Sequence, residues 1–264
     1  MMNSICLVTA VDVEFKTAIG LLTQTTLATE SKFKICRGYV GDRQITVLQC
    51  GMGARGFAEW LQQHLATNRY DALIVVGLAG GLDPRLKTGD AVIYDSCLSV
   101  RSEVGQVQNL SHQIKKSQAP VNSYNLCATS AELCASAVKK FSDAHFSSVH
   151  CGAGITTDQI VTDAADKLRL GEQHQALAVD MESFDVLQVA AELNLPAMVI
   201  RVISDEASHD LPDFNYAAEA DGAINHRRMA VAMLRRPVAS VRFLRSLNTV
   251  VEALRKSLEV VLRL

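Results

Sequence analysis

Residues 176–207 read ALAVDMESFDVLQVAAELNLPAMVIRVISDEA, and this stretch decides the fold. A short apolar run, Ala176–Val179, gives way at once to acids. The segment Ser183–Leu193 then has helical spacing and is stopped by Asn194-Leu195-Pro196. A second apolar run, Ala197–Ile203, again ends in an acid. Strand, helix, strand is the unit of an α/β sheet. Ligands of such sheets bind in the crevice at the carboxyl ends of the strands, so Glu182 and Asp205 point at a shared site. Their surroundings are mostly Val, Ile, Leu and Ala, where a carboxylate is either paired or raised in pKa. The plainer alternative is that each acid caps the helix that follows it.

Working outward, Ile5–Ala10, Ala72–Val76, Ala91–Tyr94 and Ser147–Cys151 read as further buried strands. Lys32–Val40 and Arg43–Cys50 flank Gly41-Asp42 as a hairpin. Helical spacing appears over Val13–Leu22, Ala58–Leu65, Ala131–Phe141 and Asp158–Leu170, the last with Asp158 as its N-cap. Residues 99–123 are polar and irregular, a long surface excursion of the kind that forms flaps. The fold class is α/β: a three-layer sandwich whose central sheet is mixed, largely parallel and flanked by helices. No linker divides the chain, so residues 1–224 form one domain and 225–264 a basic helical C-terminal appendage.

The 264 residues are 48% hydrophobic and 20% charged, ordinary for a globular protein. Seven cysteines lie mostly in apolar runs, with no C-x-x-C pair and no Cys/His spacing for a metal. Free thiols fit the cytosol. The start, MMNSICLVTAVDVEF, lacks the basic region of a signal peptide, and no apolar run is long enough to span a bilayer. Residues 225–264 hold nine Lys/Arg against two Asp/Glu, while the whole chain carries −2. The body is therefore acidic, which excludes a body built to grip nucleic acid.

Residues 51–56, GMGARG, follow a strand and precede a helix. That is the setting of a dinucleotide fingerprint, but the next strand runs into GLAGG at 77–81 with no acid at its end for a ribose. The loop reduces to a glycine turn that lets backbone approach a ligand. Gly53 and Arg55 are its candidates for a phosphate.

Three blocks resemble the nucleoside phosphorylase and nucleosidase superfamily: VVGLAGGLDPRLKTGDAVI at 75–93, AVDMES at 178–183 and RVISDEA at 201–207. TAVDVEF at 9–15 resembles the hydrolases' segment with a water-activating glutamate, here Glu14. SDEASHDLPDFN at 204–215, RRP at 235–237 and the helical tail resemble the hopanoid-associated phosphorylase branch. The resemblance implies cleavage of the N-glycosidic bond of a purine nucleoside without a cofactor, phosphate serving as co-substrate if the reaction is phosphorolysis. Asp205 would protonate the leaving base at N7. Glu182 would accept the ribose hydroxyls, Met181 would pack on the sugar, and Ala79 and Gly80 would line the base pocket, with Ser204 beside them. The chemistry suits these residue types: a purine anion leaves poorly without an acid, and a carboxylate stabilises a sugar that gains positive charge.

The chain departs from the hydrolases at TTDQIV, 156–161, where Ile160 stands in place of an aromatic ring. Arg201, inside an apolar strand, reads as a paired structural arginine, and His209 is the histidine nearest the site. Water and phosphate both remain open as nucleophile. Methylthioadenosine/S-adenosylhomocysteine-type hydrolysis is one alternative, and a nucleoside-binding protein without turnover is another. By resemblance the chain forms homo-oligomers. In the tail, Leu244, Leu247, Val251, Leu254, Leu258 and Val261 make an amphipathic stripe. It packs on protein or rests on an anionic membrane through residues 238–264; the expected location is cytoplasmic, peripheral to the inner membrane in the second case.

Overall fold

The computed structural model describes residues 2–53, 56–101, 122–143, 146, 148–217 and 225–264. The elements run β1 (Ser4–Thr9), α1 (Asp12–Ile19), β2 (Thr23–Glu30), β3 (Phe33–Val40), β4 (Arg43–Gln49), α2 (Phe57–Thr67), β5 (Ala72–Gly81) and β6 (Ala91–Val100). They continue β7 (Asn122–Asn125), α3 (Leu126–Asp143), β8 (Val149–Thr157), α4 (Ala164–His174), β9 (Ala176–Asp180), α5 (Ser183–Glu192) and β10 (Ala197–Asp205). A 3-10 turn, Phe214–Tyr216, leads to α6 (His226–Arg235) and α7 (Pro237–Val261).

One mixed sheet has the order β10-β6-β8-β9-β5-β1-β4-β3-β2, with β7 on β6. β10 also pairs with β5, which closes β5, β10, β6, β8 and β9 into a ring. β1, β5 and β10 run parallel side by side, so their carboxyl ends lie together. These strands are apolar on both faces because both faces are covered. In β1, Cys6 and Val8 enter a core with α2 residues Phe57 and Leu61 and α5 residues Val186 and Leu187. Ile5 and Leu7 face the opposite way, toward Phe15 of α1, Phe141 of α3 and Leu254 and Leu258 of α7. These are the outer layers of the sandwich.

Two local expectations change, and one strand is additional to them. β2, TQTTLATE, is almost wholly exposed, and as an edge strand with little apolar content it has no burial pattern to read. Asp158 is not a helix N-cap: α4 begins at Ala164 with Asp163 at the cap position. The residues between are held as a loop by Ile160 N–H to Asn215 Oδ1 (2.8 Å) and Leu211 N–H to the Thr162 carbonyl (2.8 Å). The polar excursion is strand at its two ends, in β6 and β7, and its remainder, 102–121, lies outside the described residues.

The C-terminal segment 225–264 is helical, and its stripe divides. Leu254, Leu258 and Val261 are buried, Leu247 and Val251 are half-buried and Leu244 is 54% exposed, while Val238, ahead of the stripe, is 71% exposed. Among the described residues no helix is long and apolar enough to cross a membrane.

Candidate active site

The parallel register sets Asp205 opposite Gly80, and the short antiparallel contact with β9 sets Val179 opposite Gly80 as well. The ends of β5, β9 and β10 thus meet beside the β1–α1 turn and enclose a cavity of about 200 Å³. Glu14, Ala79, Gly80, Ile160, Met181, Glu182, Ser204 and Asp205 all line it. Leu211, Phe214 and Phe243 complete the lining. Phe243 comes from α7 and meets Phe214 edge-on, ring centroids 5.0 Å apart.

Glu14 sits in the first turn of α1, where Oε2 accepts from Ala10 N–H (2.6 Å) and Val11 N–H (3.1 Å). Its Oε1 accepts from Leu78 N–H at 2.7 Å. Burial pushes its carboxyl above the usual range, against the opposing pull of Arg201 and these three amides. The approach requires a residue without a side chain in β5: a Cβ on Gly77 would stand 2.6 Å from Glu14 Oε1 and 2.7 Å from Arg201 Nη1.

Arg201 lies on the same face of β10 as Ile203 and Asp205, fully buried. Its Nε pairs with Asp180 Oδ2 at 3.2 Å and its Nη2 with Glu182 Oε2 at 3.3 Å. The two acids share one guanidinium unequally. Asp180 also accepts from Tyr94 Oη (3.0 Å), Thr156 Oγ1 (2.9 Å) and the amides of Glu182 and Ser183 (3.0 and 2.9 Å). Burial acts to raise it, but Arg201 and these donors hold it below its ordinary value. Glu182 receives fewer donors, and burial pushes it up to about 7, with Asp180 and Glu14 adding to the rise.

Neither Glu182 nor Asp205 acts as a helix cap. Glu182 occupies the N-cap position of α5 but makes no capping bond; Asp180 takes that duty. Asp205 ends β10 and precedes no helix. Its Oδ1 is 2.6 Å from Ser204 Oγ, which also lies 3.1 Å from the Ala79 carbonyl. Its Oδ2 pairs with Lys167 Nζ at 2.5 Å. Gly53, expected to face a phosphate, has φ +75° and donates its N–H to Glu182 Oε1 at 3.0 Å, so the turn tethers an acid. Arg55 lies outside the described residues. His209 contributes its carbonyl, to Lys167, at 2.8 Å. Asp158 pairs with Arg101 at 3.3 Å.

Asp180, Lys167, Phe214 and Phe243 were missed in the sequence. Asp180 stood in the quoted block one residue after an apolar run, the signal already used for Glu182. Lys167 and Phe243 gave none, since a helical lysine reads as solvent-facing and the tail as peripheral. Together the cavity brings four acids to one place, Glu14, Asp180, Glu182 and Asp205, and burial raises Glu14 and Glu182 among them.

A family model described as "Phosphorylase superfamily" matches residues 4–236. Among curated relatives, a 5′-methylthioadenosine/S-adenosylhomocysteine nucleosidase of Exiguobacterium sp. is 26% identical over 210 residues, 78% of this chain and 86% of its own. A DeoD-type purine nucleoside phosphorylase of Buchnera aphidicola is 26% identical over 168 residues, 64% of this chain and 66% of its own. The Neisseria meningitidis methylthioadenosine/S-adenosylhomocysteine nucleosidase, solved with methylthio-immucillin-A, shares the fold at TM-score 0.72 and 19% identity, covering 99% of this chain and 100% of that one.

Proposed function

The chain belongs to the phosphorylase superfamily as an enzyme that cleaves N-glycosidic bonds, and we propose that it hydrolyses an adenosine-type nucleoside. Glu14 carries this reading. It is a buried carboxylate inside the cavity, raised in pKa and fixed by three amides, which suits it to take a proton from water. The glycine-turn amide that an anion would need is engaged by Glu182. The nucleosidase relative and the Neisseria fold give the same direction.

In this mechanism water attacks C1′ and passes a proton to Glu14. The bond electrons leave with the purine, whose N7 takes a proton from Asp205. Ionised Glu182 accepts the ribose hydroxyls and stabilises the positive charge that builds on the sugar. Ala79, Gly80 and Ser204 face the base, Ile160 covers it without stacking, and Met181 lies against the sugar.

Product analysis tests the reading. Free sugar at equal rates with and without phosphate supports hydrolysis, and sugar 1-phosphate formed only with phosphate refutes it. A second reading keeps the bond and changes the 5′ substituent to a lipid, as in hopanoid synthesis. It is supported by the apolar wall of Leu211, Phe214 and Phe243, and by the helix that supplies Phe243. Leu234, Val238, Val241 and Leu244 are exposed there, on a segment, 225–249, with six arginines and no acid. That surface suits peripheral contact with an anionic membrane. Adenine release from 5′-substituted adenosines separates the two readings.

A further inference from the structure

The functional reading leaves Lys167 without a task, yet it is among the most enclosed charges in the molecule. Its side chain, from α4, is completely buried and ends 2.5 Å from Asp205 Oδ2. Its remaining donors reach the carbonyls of His209 (2.8 Å) and Glu206 (3.4 Å), both just beyond β10. α4 is docked tightly enough to hold it: a Cβ on Gly171 would meet the Leu82 carbonyl at 2.7 Å. A lysine is almost never buried unless paired, and here its partner is the one acid assigned to the leaving group. Ser204 Oγ lies 2.6 Å from the other carboxylate oxygen, so both oxygens of Asp205 are fixed by neighbours.

Resting on the proposed cleavage, we propose that Lys167 is a positioning residue for leaving-group activation. It sets the orientation of the Asp205 carboxyl, and its charge stabilises the anion left when Asp205 gives up its proton. The atoms balance. The C1′–N9 bond breaks with its electron pair going to N9, and the Asp205 proton goes to N7. Asp205 is left as a carboxylate against the Lys167 ammonium, and the water that bonds to C1′ loses its proton to Glu14. Solvent returns the proton to Asp205, and takes that of Glu14, between turnovers. Lys167 keeps its own protons throughout and never touches the substrate. A charge placed in advance where negative charge develops is the economical form of electrostatic assistance, because nothing has to reorganise during the reaction.

The test compares leaving groups. Adenosine needs a proton at the base, whereas 4-nitrophenyl β-D-ribofuranoside expels a stable phenolate without one. Lys167→Gln removes the charge and keeps a donor to the carbonyls. It should lower kcat on adenosine within the ~10²–10⁴-fold range of general acid catalysis, with KM little changed, and leave the nitrophenyl riboside rate intact. Lys167→Arg keeps the charge and should recover much of the adenosine rate; it also serves if Lys167→Gln does not fold, since its losses too should fall on adenosine alone. Equal losses on both substrates, or none on adenosine, overturn the role of Lys167. A wild-type enzyme that cleaves neither substrate overturns the functional reading, and this proposal with it.

Discussion

Replacing Glu182 by Gln should stabilise the ligand-free protein above neutral pH while removing its activity. The native state holds this carboxyl at about 7 against an ordinary 4.5. At 1.36 kcal/mol per pKa unit the difference is worth ~3 kcal/mol. The folded value lies above the unfolded one, so between them the native state binds the extra proton. Stability therefore falls as pH rises from 4.5 toward about 7 and is level beyond. Glutamine keeps an acceptor for the Gly53 amide and has no charge to desolvate. Asp180, held low, titrates below this window and stays on Arg201. Urea unfolding at pH 5 and pH 8 should show the wild type losing ~3 kcal/mol more than the variant, a midpoint difference on the order of 1 M. Parallel pH dependences for the two proteins would refute the reasoning. The same group sets the enzyme's acid limb: activity should rise with pH toward about 7 as Glu182 ionises, a macroscopic value because the acids are coupled.

Asp205→Asn should lose ~10²–10⁴-fold on adenosine, and a wild-type rate would remove it from its role. Glu14→Gln should lose most activity in phosphate-free buffer, and unaffected release of free sugar there would contradict water activation. Full-length protein should sediment with anionic vesicles at low salt, and Leu234→Glu with Val238→Glu should abolish this. Each arginine near such a surface is worth ~1 kcal/mol, so salt should release it; no sedimentation at low salt would rule out the membrane face.

The acids at strand ends were readable because an acid directly after a buried apolar run has few uses besides a site or a cap. That signal singled out Glu182 and Asp205, and likeness of its segment singled out Glu14; all three line one cavity. What stayed hidden depends on distant closure. Lys167 lies 38 positions from Asp205, and they meet through the sheet, in which β8 and β9 on either side of α4 close into a ring with β5, β10 and β6. Arg201 was legible as a paired arginine, but the further donors that Asp180 collects, Tyr94 of β6 and Thr156 of β8 among them, come from strands distant in sequence. The tail's stripe was plain, although its burial is graded, from exposed Leu244 through half-buried Leu247 and Val251 to buried Leu254, Leu258 and Val261. β2 carries no pattern because only its neighbour β3 defines it.

Asp180 and Glu182 lie on one guanidinium, so the pH at which Glu182 ionises depends on a residue outside the reacting groups. Asp180 pairs with the same fixed positive charge, and its own negative charge helps keep Glu182 high. Asp180→Asn would release that charge to Glu182 and bring its titration down toward the ordinary carboxylate range. The acid limb of the rate should then move to lower pH while the reacting groups stay the same; an unmoved limb would show that burial alone sets it. A lineage facing acidic surroundings could adapt at position 180 and leave its catalytic acids untouched.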